Sequence, residues 1–165
     1  MPIEILNTSI VVLAVQHNTS ILHPSFLTSQ GIISADWEWL EPPVCTPVFS
    51  TVKYKNGITF VVEGNKFQIL DNQIEYESTN SLLPQLALKY CQALPHVHYK
   101  SIGINIEALV EIEKPQQLLI NNFLNPGSGD IDGNSPEALG LNFLYELDDC
   151  RLRLSYDAGT VQKKP

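Results

Sequence analysis

Long apolar runs are missing from this sequence. The longest, Ile10 to Val15, is far short of the roughly 20 residues that a membrane-spanning helix requires, so no membrane partner is expected. Basic residues are also scarce: 10 Lys and Arg stand against 18 Asp and Glu, for a net charge of −8. The nearest approach to a basic patch is Lys53 with Lys55 and Arg151 with Arg153, two isolated pairs on β-like segments. Phosphate backbones repel such a chain, and nothing in it neutralises them locally. Nucleic acid is therefore not an expected partner either.

Charge of either sign is thin. Only 17% of residues are charged, against about 25% in an ordinary soluble domain. Much of the surface must then be neutral Asn, Gln, Ser and Thr, which defends poorly against association. That favours a protein that spends its time against a partner, either another protein or its own copy.

Cysteine is sparse and odd in number. Cys45, Cys91 and Cys150 lie far apart, so they form neither a metal-ligand pair nor a disulfide framework. The start, Met1-Pro2-Ile3-Glu4, lacks the basic region and apolar stretch of a secretion signal. Reduced thiols and a cytoplasmic location are expected. The Asn-Thr-Ser triplets at Asn7 and Asn18 match glycosylation acceptors, but they have no role in that compartment.

Catalytic signatures are absent as well. There is no G-x-S-x-G, C-x-x-C, H-E-x-x-H or G-x-x-x-x-G-K-[ST], the local patterns that mark nucleophile elbows, redox pairs, zinc helices and phosphate loops. No cofactor is expected, and the chain reads as non-enzymatic.

What is present is a fold. The 165 residues, 44% hydrophobic, suffice for one domain with a real core. Ser9 to Gln16 is a β-branched run without alternation, expected as a strand buried on both faces. "HPSFLTSQG" suits a short helix with Pro24 in its first turn and Gly31 past its end. The span 32–47, with Pro42, Pro43 and Pro47, should be an irregular excursion. Asn56-Gly57 between β-rich runs predicts a two-residue type I′ hairpin, with Val52 facing Val61 and Lys53 facing Phe60. Gly64-Asn65 should turn the chain again into Lys66 to Leu70.

Leu82, Leu83, Leu86, Tyr90 and Leu94 make one helical stripe. From Ser101 to Glu113 the pattern alternates, with Ile102, Ile104, Ile106, Val110 and Ile112 expected toward the core and Glu111 and Glu113 toward water. A helix fits Pro115 to Leu124, and a closing hairpin turns at Asp148-Asp149. The class is α+β: one domain, a mainly antiparallel sheet of six or seven strands, and two main helices on one face. Residues 158–165 should form a flexible tail.

Three stretches are candidates for function. The glycine-rich loop 125–137 offers Asp130, Asp132, Asn134 and Glu137 as oxygen donors. Calcium loops space such donors by a fixed rule, with Gly at the sixth position and Glu at the twelfth. Here Gly133 and Glu137 arrive too early, so a solvated linker is expected. His96 and His98, two apart, could share a face and grip a metal ion, but no third ligand is near in sequence, and His17 or His23 would have to be brought in by the fold. A small metal-dependent hydrolase built on them, or a small-ligand pocket between helix and sheet, is the alternative to a binding protein. The third stretch, "DWEWLEPP", holds both tryptophans. Trp37 and Trp39, with Leu40, either plug the core edge beneath the excursion or anchor a protein partner, the role in which exposed Trp is enriched.

Overall fold

The computed structural model describes residues 3–72 and 81–159. The class is α+β, as expected, and the chain divides into two compact units, Met1–Val110 and Glu111–Pro165.

The first unit is built on six strands in the order β2-β3-β4-β5-β1-β6, with every neighbouring pair antiparallel. They span Ile3–Ala14 (β1), Val44–Cys45 (β2), Phe49–Lys53 (β3), Ile58–Glu63 (β4), Lys66–Asp71 (β5) and Tyr99–Val110 (β6). β1, the β-branched run, is an interior strand as its sequence implies. Ile10, Val12 and Ala14 are buried on one face; on the other Ser9 is buried but Val11 and Leu13 are only half-buried, so the expected burial on both faces is met in part.

The β3–β4 hairpin differs from the sequence expectation by one residue. Val52 faces Phe60 and Lys53 faces Thr59, and the Tyr54 amide donates to the Ile58 carbonyl at 2.9 Å. Gly57 alone in this loop has positive φ, at 86°. The connection is thus a three-residue turn, Lys55-Asn56-Gly57, closing on a left-handed glycine, rather than a type I′ pair. A one-residue slip turns every side chain to the opposite face. The observed register sends Ser50, Val52 and Tyr54 to the same side as Ile58, Phe60 and Val62, all buried. The type I′ register would have set Lys53 opposite Phe60 on that buried side. Core burial decides the register over the turn preference.

Two helices close the core. In α1, Pro24–Ser29, the His23 ring accepts from the Ser25 amide at the start. At its end the Gly31 and Ile32 amides donate to the Thr28 and Leu27 carbonyls. That is the reverse-turn cap that a glycine in the left-handed region makes cheap; φ of Gly31 is 65°. α2, Leu83–Ala93, buries Leu83, Leu86, Ala87 and Tyr90 against β1 and β5. Leu94 is buried just beyond it, whereas Leu82 stays exposed because it caps the helix rather than joining its stripe.

β6 carries the largest departure. The strand forms but ends at Val110, leaving Ile112 and Glu113 outside it, and its apolar row does not enter the core: Ile102, Ile104 and Ile106 are 63%, 69% and 65% exposed, and Val110 is exposed as well. The three isoleucines pair with Val12, Ile10 and Thr8 of β1, and opposite residues of an antiparallel pair share a face. The row therefore lies on the same face as the buried Val12 and Ile10, one strand beyond the helical cover. β6 is an edge strand, and the period-2 pattern reports a face, not its covering.

The second unit holds α3 (Pro115–Phe123) and the hairpin of β7 (Gly140–Glu146) and β8 (Arg151–Asp157). Leu141, Phe143 and Tyr145 face Tyr156, Leu154 and Leu152, and the Leu147 amide closes the Asp148-Asp149 turn on the Cys150 carbonyl at 2.8 Å. A lone hairpin is marginal in water. α3 supports this one through Phe123 and Phe143, whose rings lie edge to face at 6.2 Å. Gln116 helps by accepting from the Leu139 amide and donating to the Ala158 carbonyl, each at 3.0 Å. Of the expected tail, 160–165 lies outside the described residues.

Candidate functional site

The glycine-rich loop is organised by its backbone. Ile131 and Asn134 exchange two backbone hydrogen bonds at 3.0 Å, with positive φ at Asp132 (51°) and Gly133 (81°) between them. That is a type I′ turn, which Asp-Gly suits. The Asn134 amide nitrogen donates back to the Ile131 and Asp132 carbonyls at 3.3 and 3.4 Å, so the turn uses its own polar groups. Asp130, Asp132 and Glu137 are not drawn into a common cage: among the described residues no three His, Cys, Asp or Glu side chains are grouped to hold a metal ion.

His96 and His98 sit in the turn between α2 and β6, just ahead of the strand that their spacing suggests, and both are exposed. Of the two more distant histidines, the fold brings His17 beside them. His17 lines the same cleft, of about 420 Å³, with Asn18, Pro47 and the two others. It is nevertheless committed elsewhere, being only 2% exposed. A carbonyl can only accept, so Nε2 carries the proton toward the Val12 oxygen at 3.3 Å, and Nδ1 accepts from the Tyr90 hydroxyl at 3.4 Å. The ring also lies beside Phe67, Tyr90 and Tyr99. With both nitrogens engaged, His17 is a neutral core residue, not a free ligand. The only sequence clue to this was its place just after the buried strand.

Burial holds the His17 pKa below its ordinary value, against a smaller upward pull from the Val12 carbonyl. In the unfolded chain the ring takes a proton near pH 6.5, while the folded protein resists until a lower pH. Between those values the unfolded state binds more protons. The contribution of His17 to stability is thus full above about pH 6.5 and is lost as pH falls from there toward the folded value. Denaturant midpoints measured from pH 7.5 down to 5 should fall, and His17→Gln should flatten the upper part of that fall. An equal slope in the variant assigns the loss to other groups.

The excursion 32–47 resolves the two tryptophans into different roles. Trp37 is half-buried and packs on the core, its ring edge to face with Tyr54 at 5.2 Å. Trp39 pairs backbone to backbone with Tyr54 and is 50% exposed, and Leu40 beside it is 63% exposed. The segment runs along β3: the Leu40 amide donates to the Lys53 carbonyl at 2.8 Å and the Lys55 amide to that of Glu38 at 2.9 Å. Lys55 reaches the Glu38 carboxylate at 2.5 Å and Lys53 that of Glu41 at 2.9 Å. The Lys55 ammonium, by hydrogen bond and then by charge, keeps the Glu38 carboxyl below the usual carboxylate range. Pro42 and Pro43 follow. Charge, proline and a short strand are the means by which sheets blunt an edge, and this edge has all three.

The three cysteines are unpaired. Partial burial pushes the Cys91 thiol up, against a smaller opposing effect of its hydrogen bond with Tyr99, away from the thiolate that a nucleophile requires. Among the described residues no helix is long and apolar enough to cross a membrane. No protein family, curated protein or solved structure matches this chain.

The arrangement that stands out chemically is therefore a surface. β6 presents Ile102, Ile104 and Ile106 to solvent on one face. Among the described residues, only β1 shares backbone hydrogen bonds with its stretch from Lys100 to Val110. This edge has neither proline nor, between Ser101 and Ile106, any charge. Among the described residues, one edge of this sheet is guarded and the other, β6, has no strand beyond it.

Proposed function

We propose that this is a non-enzymatic cytoplasmic protein that acts by binding another protein or its own copy. The uncovered isoleucine row of β6 is the observation that carries the reading: an apolar strip joined to an unpaired strand edge is what strand-adding partners use, main-chain bonds supplying affinity and alternate side chains specificity. Trp39 and Leu40 add an exposed apolar pair beside β3, while Trp37 serves the core. The net charge of −8 disfavours nucleic acid as the partner. Three widely spaced, unpaired cysteines accord with a reducing compartment.

A photo-crosslinking residue in place of Ile104, expressed in the native cell, tests the reading. A discrete crosslinked protein species, lost when Ile102 and Ile106 are both changed to Ser, is the expected result. If illumination yields no protein adduct at this position, the reading fails.

A further inference from the structure

The bare edge is self-complementary, and we infer that its partner is a second copy of this chain, added through β6 to give one continuous antiparallel sheet. This rests on the binding reading above and specifies its partner. Consider a two-fold axis normal to the sheet at Ile104. Ile104 then faces Ile104 of the second copy and Ile102 faces Ile106, so the exposed isoleucines of both β6 strands meet each other on one face. On the opposite face Gly103 meets Asn105 and Ser101 meets Glu107, all within the part of β6 that keeps a regular register against β1, ahead of which Lys100 is bulged. No like charges stand opposed anywhere along Ser101 to Glu107. Aliphatic and β-branched cross-strand pairs stabilise a ladder, and like charges directly opposite destabilise it, so this register gathers the favourable pairs and avoids the unfavourable ones.

Two further observations support it. The strand is long, Tyr99–Val110, and at about 3.4 Å per residue the regular stretch Ser101 to Glu107 spans about 24 Å of ladder. The other edge cannot compete, because β2 is only Val44–Cys45 and the excursion beside it carries Pro42 and Pro43. Closed pairing through one edge therefore gives a dimer and not a filament. A strand edge alone falls toward the small end of stable interfaces, below about 1,200 Å², so the dimer should dissociate on dilution.

Sedimentation equilibrium of the purified full chain over a wide concentration range should show a monomer–dimer equilibrium. Ile104→Lys sets two ammonium groups against each other on the axis and should raise the dissociation constant by about tenfold or more. The register is tested on the other face with exposed side chains that leave the core alone. Ser101→Glu opposes Glu107 twice per dimer and should weaken association. Ser101→Lys places a cation against Glu107 twice and should hold or tighten it. Thermal melts of each variant at low concentration verify that the monomer is folded. A monomer at every concentration overturns the inference, as does a dimer indifferent to Ile104→Lys or to the sign of the charge at 101. The two levels fail separately: a monomer in vitro that crosslinks to a different protein in the cell sinks the second copy but keeps the binding reading, whereas no adduct of any kind sinks both.

Discussion

Phe67→Ala should cost about 3–5 kcal/mol of folding stability, the upper range for truncation of a core side chain. Phe67 is completely buried and lies at the centre of the core. Its ring stacks on Tyr90 at 3.5 Å with 9° between planes, and it neighbours Phe60 and His17 at 6.4 and 6.2 Å. It also faces Val12 across β1 and Val62 across β4. Truncation leaves a cavity bounded by strands on both sides and by α2 above, so the walls cannot collapse to fill it. Against a total stability of roughly 5–15 kcal/mol, such a loss brings the protein close to unfolding. Urea titration followed by far-UV circular dichroism measures it, with Gln68→Ala as the neighbouring control. A loss below about 1 kcal/mol at Phe67 contradicts the stacked core.

The second large effect separates the tryptophans. Trp37→Ala should lower stability by about 3 kcal/mol, the low end for a large aromatic because the ring is only half-buried, whereas Trp39→Ala should stay within about 1 kcal/mol of wild type. Trp37 loses its edge-to-face contact with Tyr54 and uncovers a phenol whose hydroxyl is buried without a partner among the described residues and whose pKa burial has pushed up to about 12. Trp39 holds its place through the backbone, by its bridge to Tyr54, and a backbone pairing survives truncation of the side chain. Tryptophan fluorescence gives a second readout: the Trp39→Ala protein, reporting on Trp37 alone, should emit at shorter wavelength than the Trp37→Ala protein. Equal destabilisation by both changes would mean that both indoles belong to the core. If Trp39 also anchors a partner, its truncation should weaken that association by about 2 kcal/mol with the fold intact.

Much of this molecule is local, and the local part is legible in the residues. A β-branched run, apolar alternation, proline at helix starts and glycine at chain reversals place the second half of β1, β4, β5, β6, both hairpins' arms, α1, α2 and α3 without reference to anything distant. The absence of basic clusters likewise bears on partners directly, since net charge is additive along a chain. Residues 38–45 show where locality ends. Their prolines keep them out of a sheet interior, but that they guard the edge at β3 depends on Lys53 and Lys55 arriving opposite Glu41 and Glu38.

Three matters are settled only by tertiary structure. The β3–β4 register follows from which residues the core buries, and a turn sequence compatible with two loop lengths cannot choose between them. His17, an ordinary histidine in the sequence, becomes a neutral core group because α2 and β6 bring Tyr90 and Tyr99 to it from more than 70 residues away along the chain. The isoleucines of β6 have the alternation of a buried strand, and a strand's period marks which side chains share a face. Whether anything lies over that face depends on strand order. β6 comes last in the sheet, and only its first residue, Tyr99, meets α2, so an apolar row written like core is left at the surface.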